Sequence, residues 1–149
     1  MPSKKKYAYE YPRPSLTVDL VLVTTERRPR VLLIQRKDDP FAGRWAFPGG
    51  FVNENEPLET AARRELKEET GLEVVPLSVF EIFERIITDT EGRPEYHYVL
   101  IDYLCRVVGG QLQAASDVSQ AAWVPQHKLR EYRLTEGTRA VIERAFAEL

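Results

Sequence analysis

The sequence contains a single cysteine, Cys105. An intramolecular disulfide is therefore excluded, and so is a zinc site built from several cysteines. The apolar surroundings of this cysteine, YLCRVV, favour a buried small side chain over a reactive nucleophile. One type of covalent catalysis and one type of metal site are thus set aside before any motif is considered.

Long apolar runs and a strong net charge are also missing. The first residues, MPSKKKYAYEY, are basic but lack the apolar centre of a signal peptide, and no stretch approaches the length of a membrane span. A formal net charge of -2 gives no overall attraction to nucleic acid or to an anionic membrane. We therefore expect a cytoplasmic protein with neither partner, in which an anionic substrate is held by local cations or by metal.

The length and composition predict one folded domain. The chain has 149 residues, of which 43% are hydrophobic and 30% charged, as is ordinary for a soluble globular protein. We expect residues 1–149 to form a single domain, with Met1 to about Tyr9 as a flexible lead-in.

The first half of the chain reads as strands followed by a helix. Branched residues predict strands over Leu16–Val23 and Arg30–Arg36, a loop follows over Asp38–Trp45, and Pro48, Gly49 and Gly50 break the short segment AFPGGFV. Pro57 suits the first turn of a helix and Gly71 suits a left-handed stop, so a helix is predicted over Leu58–Thr70.

The second half predicts a long hairpin and two helices. The hairpin is expected from Val79–Thr88 and Tyr96–Val107, and a Gly-Gly turn within Val108–Gln113 follows it. A short strand is predicted over Gln120–Val124, and helices over Gln126–Tyr132 and Thr135–Leu149. The last helix would bury Val141, Ile142, Ala145 and Phe146. The pattern predicts an α/β fold in which helices cover a mixed sheet on both sides.

The stretch RRELKEETG places three acids, Glu65, Glu68 and Glu69, on one side of the predicted helix. At about 100° per residue they share a sector with the apolar positions Leu58, Ala61 and Ala62, whereas Thr60, Arg63, Lys67 and Thr70 occupy the opposite side. A solvated charged face with an Arg64–Glu68 pair is the simpler alternative. The phase of the pattern argues against it, because the solvent side is already defined by other residues.

Three carboxylates near a core require compensating positive charge, and one Arg64 cannot neutralise all of them. A divalent cation can do so. Mg²⁺ takes carboxylate and phosphate oxygens together, so this group of acids suits a metal-dependent phosphate site.

The same residues carry a resemblance to a known family. From Gly50 the chain reads Gly50, five residues, Glu56, seven residues, Arg64-Glu65-Leu66, one residue, Glu68-Glu69, one residue, Gly71-Leu72. This resembles the signature box of the Nudix hydrolases with every fixed position filled. The resemblance implies a Nudix-type α/β/α sandwich and cleavage of a pyrophosphate linkage with the help of Mg²⁺ or Mn²⁺.

The resemblance also implies roles for individual residues. Glu65, Glu68 and Glu69 match the metal-binding carboxylates, and the carbonyl of Gly49 matches a further metal ligand. Arg64 matches the residue that orients these acids by charge-assisted hydrogen bonds. Glu56 has two readings, either an interaction with the amides at the helix start or a contact to metal through water.

A further acid is expected after the central strands. Asp117, in AASDVSQAAWV, occupies the place where relatives often carry one, and it is a candidate metal ligand or general base. The position nearer Trp123 where a second acid is common holds Gln120 instead. A turn-capping role for Asp117 is the alternative, in which case Glu68 or Glu69 would serve as the base.

The substrate is less strongly indicated. The segments YPRPSLTVDLVL and PFAGRWAFPGGFV resemble the ADP-ribose pyrophosphatase branch, but the downstream segment lacks the Gly-Asp-Pro-rich loop of that branch. Arg44, Trp45 and Arg85 are the predicted substrate-binding residues, since arginines grip phosphate and aromatic faces stack on bases. Phe83, Tyr96 and His97 are further candidates for the wall of the site, but strand alternation favours core positions for Phe83 and Tyr96, and His97 reads as an ordinary strand residue.

Three functions are consistent with this resemblance. The first is hydrolysis of ADP-ribose or a related nucleoside diphosphate sugar, and the second is a nucleoside triphosphate pyrophosphohydrolase. The third is a module that binds such a nucleotide without turnover. A homodimer is a further expectation, because many relatives form one.

Overall fold

The computed structural model describes residues 13–39 and 41–148. The elements within these residues are β1 (Ser15–Leu22), β2 (Arg30–Arg36), β3 (Trp45–Ala46), β4 (Gly49–Phe51), α1 (Leu58–Thr70), β5 (Leu72–Thr88), β6 (Pro94–Gly110), β7 (Val118–Pro125), a 3-10 helix (Gln126–Glu131) and α2 (Thr138–Glu148). The predicted lead-in from Met1 to Tyr9 lies outside the described residues. Neither α1 nor α2 is long and apolar enough to cross a membrane.

The strands of the described residues form two sheets. The larger sheet has the order β4-β1-β6-β5 and the smaller one has the order β3-β2-β7. Strands β1 and β6 run parallel while their other neighbours are antiparallel, so the larger sheet is mixed. An isolated bridge between Val23 and Val31 joins the end of β1 to β2.

Alternating side chains of β1 divide the core between two helices. Val18 and Leu20 belong to a buried cluster with Ala62 of α1, whereas Val21 belongs to a cluster with Ile142 of α2. Because successive side chains of a strand point to opposite faces, the two helices lie on opposite sides of the strands. The predicted α/β/α sandwich with a mixed sheet between helices is confirmed.

The hairpin is longer than the sequence predicted. Strand β5 already begins at Leu72, and Gly109 and Gly110, predicted as a turn, end strand β6 and pair with Glu73 and Leu72. Gly110 has a φ of 83°, and a Cβ there would overlap the carbonyl oxygen of Gly71. The glycines therefore allow β6 to run close beside the end of α1 rather than to reverse the chain.

Several element boundaries also differ from the predictions. Trp45 lies in the short strand β3 rather than in a loop, and Pro57 lies just before the first turn of α1, with a ψ of 147°. The segment after β7 is a 3-10 helix that ends at Glu131. Thr135 precedes α2 because its amide donates to the Trp45 carbonyl at 2.9 Å, which ties this turn to β3.

Candidate active site

Helix α1 carries the predicted acids, and its last residue fixes where it ends. Gly71 has a left-handed φ of 75°, and its amide donates to the Lys67 carbonyl at 3.0 Å. Glu65 and Glu69 lie one turn apart and are each only 5% exposed. The prediction that these acids face the packed side of the helix is confirmed for both.

Two residues near the end of α1 depart from the expected pattern. The side chain of Glu68 lies at the margin and is 25% exposed. Thr70 was predicted on the solvent side but is fully buried. Its hydroxyl donates to the Leu66 carbonyl at 2.6 Å, and its carbonyl accepts the Gln113 amide at 2.8 Å. The loop between strands β6 and β7, which carries Gln113, therefore covers Thr70.

Arg64 links the acids to one another. Its Nε and Nη2 donate to the two oxygens of Glu56 at 2.6 and 2.9 Å, and its Nη1 donates to Glu65 at 2.8 Å and more weakly to Glu68 at 3.4 Å. Nη2 also donates to the Phe51 carbonyl at 3.0 Å. Hydrogen bonding to Glu56, and then to Glu65, raises the pKa of Arg64 against the opposing effect of burial. The guanidinium is thus a permanent cation among three carboxylates.

Glu56 does not have the capping role that the sequence left open. The start of α1 has no side-chain cap. One oxygen of Glu56 instead accepts the Asn53 amide at 3.0 Å, and both oxygens accept hydrogen bonds from Arg64. The capping alternative is therefore wrong, and the contacts make Glu56 the main partner of Arg64.

Two glycines bring strand β4 against the acids of the helix. The Gly49 amide donates to Glu69 Oε1 at 2.7 Å. A Cβ on Gly50 would overlap the carboxylate of Glu65, so a larger residue at this position would displace that acid. The predicted role of the Gly49 carbonyl as a metal ligand stays a prediction.

Asp117 reaches the helix acids through an anchored loop. The Ala115 amide donates to the Glu69 carbonyl at 3.0 Å, and the Lys37 amide donates to the Asp117 carbonyl at 3.2 Å. These contacts hold the loop against the end of α1. Asp117 and Glu69 line the same cavity and Asp117 raises the pKa of Glu69, so the structure brings together two residues 48 positions apart that the sequence had assigned to one site.

The electrostatics of Glu69 fit an added cation. Burial raises the pKa of Glu69 well above its usual value, and Asp117 and Glu65 raise it further, while the Gly49 amide partly offsets these effects. No group of three or more acidic, histidine or cysteine side chains in residues 13–39 and 41–148 already converges as a metal-binding set. The carboxylate oxygens instead engage Arg64 and the Gly49 amide. The donor chemistry suits a hard divalent cation, which would bind as these contacts are exchanged.

A cavity opens beside these acids, on the α2 side of the larger sheet. Its walls include Glu65, Glu69 and Asp117, and also three cations, which are Arg36, Lys37 and Arg85. A space bordered by acids and by cations can bind a metal ion and an anionic substrate side by side. Arg36 is the last residue of strand β2 and Lys37 follows it, and neither was singled out from the sequence.

The predicted substrate-binding residues have separate locations. Arg85 lines the cavity, where its guanidinium lies 5.0 Å from the ring centroid of Phe41 and 5.5 Å from that of Phe83. Arg44 and Trp45 are not among the residues that line it. Trp45 packs edge-on against Tyr132, with centroids 4.9 Å apart, because strand β3 pairs with β2 and directs this ring into the α2 cluster.

The remaining candidates behave as ordinary structural residues. His97 lies 3.1 Å from Glu84 in a strand pair, as the sequence suggested. Cys105 is 4% exposed, and burial raises the pKa of its thiol to about 12, which agrees with a packing role. Gln120 donates to the Gln35 side chain at 3.0 Å.

Two aspartates near the cavity escaped the sequence analysis. Asp19 of β1 lines the cavity and pairs in parallel register with Asp102 of β6, which is 3% exposed. Burial raises the pKa of Asp19 to about 7, with Arg85 and Arg36 opposing the shift. Burial and the neighbouring Asp19 and Glu81 raise the pKa of Asp102 to about 8. The sequence does contain a signal that could have identified both residues, because each is a lone acid within an apolar strand pattern, LTVDLVLV and VLIDYL.

Comparison with known proteins identifies a family and relatives to which this chain is similar. The NUDIX domain family matches residues 13–145. The chain is 37% identical over 125 residues to an ADP-ribose pyrophosphatase of Methanocaldococcus jannaschii, which covers 84% of this chain and 69% of that protein. It is 30% identical over 107 residues to the nucleoside triphosphatase NudI of Klebsiella pneumoniae, which covers 68% of this chain and 76% of that protein.

A solved structure agrees with the fold. The NUDIX domain of Shewanella oneidensis NrtR, crystallised in complex with ADP ribose, has a TM-score of 0.74 and 30% sequence identity. The alignment covers 92% of this chain and 89% of that one. Since the NUDIX domain family matches residues 13–145 and a relative is 37% identical over 84% of this chain, the chain belongs to the Nudix family of pyrophosphohydrolases.

Proposed function

We propose that this enzyme hydrolyses a nucleoside diphosphate sugar, with ADP-ribose as the first candidate, to a nucleoside monophosphate and a sugar phosphate. The observation that carries the proposal is the cavity in which Glu65, Glu69 and Asp117 share the lining with Arg36, Lys37 and Arg85. A diphosphate with a group on each side needs such a combination of metal-binding acids and direct cations. The relative named an ADP-ribose pyrophosphatase and the NUDIX domain complexed with ADP ribose support this choice of substrate.

The acidic side of the cavity is assigned to a divalent cation. Nudix hydrolases generally use such ions, and Glu65, Glu68, Glu69 and the Gly49 carbonyl would hold Mg²⁺ or Mn²⁺ here. When bound, the ion supplies positive charge that neutralises the diphosphate and stabilises the leaving phosphate. Arg64 keeps Glu65 and Glu68 oriented through its hydrogen bonds.

Glu69 and Asp117 are assigned to proton transfer. The two carboxyl groups line the same cavity, and Asp117 is among the groups that raise the pKa of Glu69, after burial. With a cation bound beside them both carboxyls would be ionised, and either would be placed to remove a proton from the attacking water. The proton would stay on this pair while the bond between the two phosphates is broken.

The cations of the cavity are assigned to the substrate phosphates. Arg85 is held from two directions, because its guanidinium lies over Phe41 and its Nη2 donates to the Glu136 carbonyl at 2.6 Å. Lys37 is positioned by its hydrogen bond to the Ser116 carbonyl at 3.3 Å. Fixed side chains lose little rotamer freedom when they bind a phosphate, so they add affinity at small entropic cost.

A nucleoside triphosphate pyrophosphohydrolase is the second candidate function. The observation in its favour is the similarity to the nucleoside triphosphatase NudI over 68% of this chain. The acids and cations that line the cavity would also accept a triphosphate chain. The products separate the two functions, since a triphosphate would yield inorganic pyrophosphate and ADP-ribose would not.

A substrate panel tests the proposal. The purified full chain is incubated with Mg²⁺ or Mn²⁺ and with ADP-ribose, other nucleoside diphosphate sugars or nucleoside triphosphates, and the products are separated by ion-exchange chromatography. We expect AMP and ribose 5-phosphate from ADP-ribose, and no product after chelation of the metal. Pyrophosphate from triphosphates alone would establish the second function. Tight binding of ADP-ribose without any product would make the chain a nucleotide-binding module and overturn the proposal.

We also propose that the chain acts as one catalytic domain. The NUDIX match over residues 13–145 and the cavity, to which both halves of the chain contribute, support this view. Limited proteolysis checks it, because a single domain gives one protected core, whereas two independent units would give two.

A further inference from the structure

Phe83 occupies neither of the places that the sequence suggested for it. It does not line the cavity, and it belongs to neither buried cluster of the described residues. Its half-buried ring lies close to Gly137, in the turn before α2. The guanidinium of Arg85 lies over the same ring, 5.5 Å from its centroid. Phe83 therefore contacts a residue assigned to the substrate phosphates without lining the substrate cavity itself.

The regular register of β5 explains the contact between Phe83 and Arg85. Phe83 pairs with Leu100 and Arg85 pairs with Tyr98, and the register does not shift between these two pairs. Residues two positions apart in a strand project from the same face, so the ring stands beside the arginine side chain. Leu100 and Tyr98 both line the cavity. The ring of Phe83 thus supports Arg85 where the hairpin borders the cavity.

The turn before α2 supplies a second fixed contact to Arg85. The Glu136 carbonyl accepts a hydrogen bond from Arg85 Nη2 at 2.6 Å. The turn is anchored at Thr135, whose amide donates to the Trp45 carbonyl at 2.9 Å and whose hydroxyl lies 2.5 Å from that of Thr138. Both threonines are buried, so movement of the turn would break these contacts. Arg85 therefore joins the hairpin to a turn whose position is set by strand β3.

Gly137 is the residue of this turn that lies against Phe83. It has a left-handed φ of 85°, and a Cβ at this position would lie 3.1 Å from Cζ of Phe83 and 3.4 Å from Cε2. Carbon atoms pack at about 3.5 to 4.0 Å, so a side chain here would force the ring to move. Since Arg85 lies over the same ring, a shift of Phe83 would also shift the guanidinium.

Arg85 needs such support because it is partly withdrawn from water. Burial lowers the pKa of Arg85, and the nearby Asp19 opposes this effect. Aromatic faces and carbonyl oxygens stabilise a cation that has lost part of its hydration. Phe41, Phe83 and the Glu136 carbonyl are contacts of this kind. They hold the guanidinium in place before substrate binds, so little rotamer freedom is lost on binding.

We propose that Phe83 and Gly137 are positioning residues that hold Arg85 in the orientation in which it binds the substrate phosphates, an inference that rests on the function proposed above. Gly137 leaves room for the ring, and the ring supports the guanidinium. Neither residue lines the cavity, so each acts on the substrate through Arg85. A change at either position should therefore weaken binding of the diphosphate more than it slows the chemical step.

Substitution of Gly137 tests the proposal, and Gly92 provides a matched control. Gly137→Ala should raise the KM for ADP-ribose about threefold to fivefold and leave kcat within about twofold, because it displaces a phosphate-binding side chain. Gly92 has a similar left-handed φ of 79°, but a Cβ there would meet nothing within 4 Å. Gly92→Ala introduces comparable backbone strain, so it should lower the melting temperature similarly without changing KM. Equal rises in KM would attribute the effect to strain and overturn the proposal.

Combination with an Arg85 variant shows whether Phe83 and Gly137 act through this arginine. Arg85→Ala should raise KM about tenfold or more. Phe83→Leu keeps apolar bulk without a ring face and should raise KM about threefold. Adding Phe83→Leu or Gly137→Ala to Arg85→Ala should raise KM by less than about twofold further, because the side chain that they position is already absent. Fully additive effects would overturn the positioning role.

Calorimetric titration with inorganic pyrophosphate and Mg²⁺ gives a readout that does not depend on turnover. Gly137→Ala and Phe83→Leu should each weaken pyrophosphate binding about threefold, Arg85→Ala about tenfold, and Gly92→Ala not at all. Unchanged binding in the first two variants would overturn the positioning role even if ADP-ribose is hydrolysed. If ADP-ribose is not hydrolysed but the pyrophosphate results are as expected, the substrate proposal fails and the positioning role stands.

Discussion

Two groups of buried acids in this protein are stabilised in different ways. On helix α1, Glu65 accepts a hydrogen bond from Arg64 and Glu69 accepts one from the Gly49 amide. On the neighbouring strands β1 and β6, Asp19 and Asp102 lie side by side, and burial raises the pKa values of these carboxyls to about 7 and about 8. Each of the two helix acids accepts a hydrogen bond from a fixed donor, although burial also raises the pKa of Glu69, whereas the strand pair is stabilised near neutral pH by retaining a proton.

This difference in how the acids are stabilised distinguishes the helix acids, which we assign to the reaction, from the strand aspartates, which support the structure. Donors directed at individual carboxylate oxygens fix the orientation of Glu65 and Glu69, as a metal-binding set requires. A pair that shares protons carries less charge beneath the cavity and adds little repulsion toward phosphates. Substitutions in each group should therefore have different consequences, and three experiments measure them.

The largest effect is expected from the helix group. Glu69→Gln should lower kcat by about 10² to 10⁴, because the variant loses both the charge that holds metal and the proton acceptor. Folding should be unchanged or slightly more favourable, since the Gly49 amide keeps an acceptor and repulsion with Glu65 and Asp117 disappears. Steady-state kinetics and thermal melts provide the two readouts.

Lys67→Gln on the exposed side of the same helix is the control and should change neither readout. Glu68→Gln should resemble Glu69→Gln in turnover, with even less effect on folding because Glu68 is 25% exposed. If either glutamine variant unfolds, the acids hold the structure together and the catalytic assignment is wrong.

A smaller but clear effect is expected at Arg64. Arg64→Ala should lower the free energy of unfolding by about 3 kcal/mol, because it removes the cation that hydrogen-bonds to the largely buried carboxylates of Glu56 and Glu65. Arg64→Lys keeps the charge but cannot reproduce the paired hydrogen bonds to both oxygens of Glu56. Its free energy of unfolding should therefore lie between those of the original chain and Arg64→Ala. Urea unfolding measures these values, and a fully stable Arg64→Ala would show that the helix acids do not depend on this cation.

The mildest effect concerns the strand pair and depends on pH. The native carboxyl of Asp102 has a pKa of about 8, so it retains a proton that the unfolded chain releases near pH 4. Asp102 therefore makes its full contribution to the free energy of unfolding below about pH 4, and that contribution is lost as the pH rises toward 8. The groups that act on it are Asp19, Glu81, Arg144 and Arg85.

Asp102→Asn should remove this dependence. Its melting temperature should fall less than that of the original chain between pH 5 and pH 9, and it should be the more stable of the two at pH 9. Identical slopes for both chains would mean that Asp102 is ionised throughout this range and that the two groups of acids do not differ as described.

Local signals explain which parts of the fold the sequence predicted. The bounds of β2 and α1 agree with the predictions, because branched residues define the strand and Gly71 stops the helix where its left-handed φ is needed. The acids of α1 were found through their phase on that helix. Thr70 was misplaced, since its burial depends on a loop that follows much later in the chain.

Long-range pairing explains what the sequence did not reveal. Asp19 and Asp102 become neighbours only through the parallel register of β1 and β6. Trp45 does not line the cavity because β3 pairs with β2. Gly109 and Gly110 extend strand β6 because β5, its partner, starts immediately after α1. Composition and spacing carry no information on these partners, so the residues at the metal-binding acids were easier to predict than those around the substrate.

The close fit between Gly50 and the Glu65 carboxylate has a consequence for reading related genomes. Any side chain at position 50 would displace the Glu65 carboxylate, which is the far end of a flexible side chain, so a substitution there moves a predicted metal ligand more than it strains the backbone. Glu68 accepts one long hydrogen bond from Arg64 and has little influence on folding. A descendant that keeps both the glycine at position 50 and the acid at position 68 is therefore expected to have retained turnover of substrate.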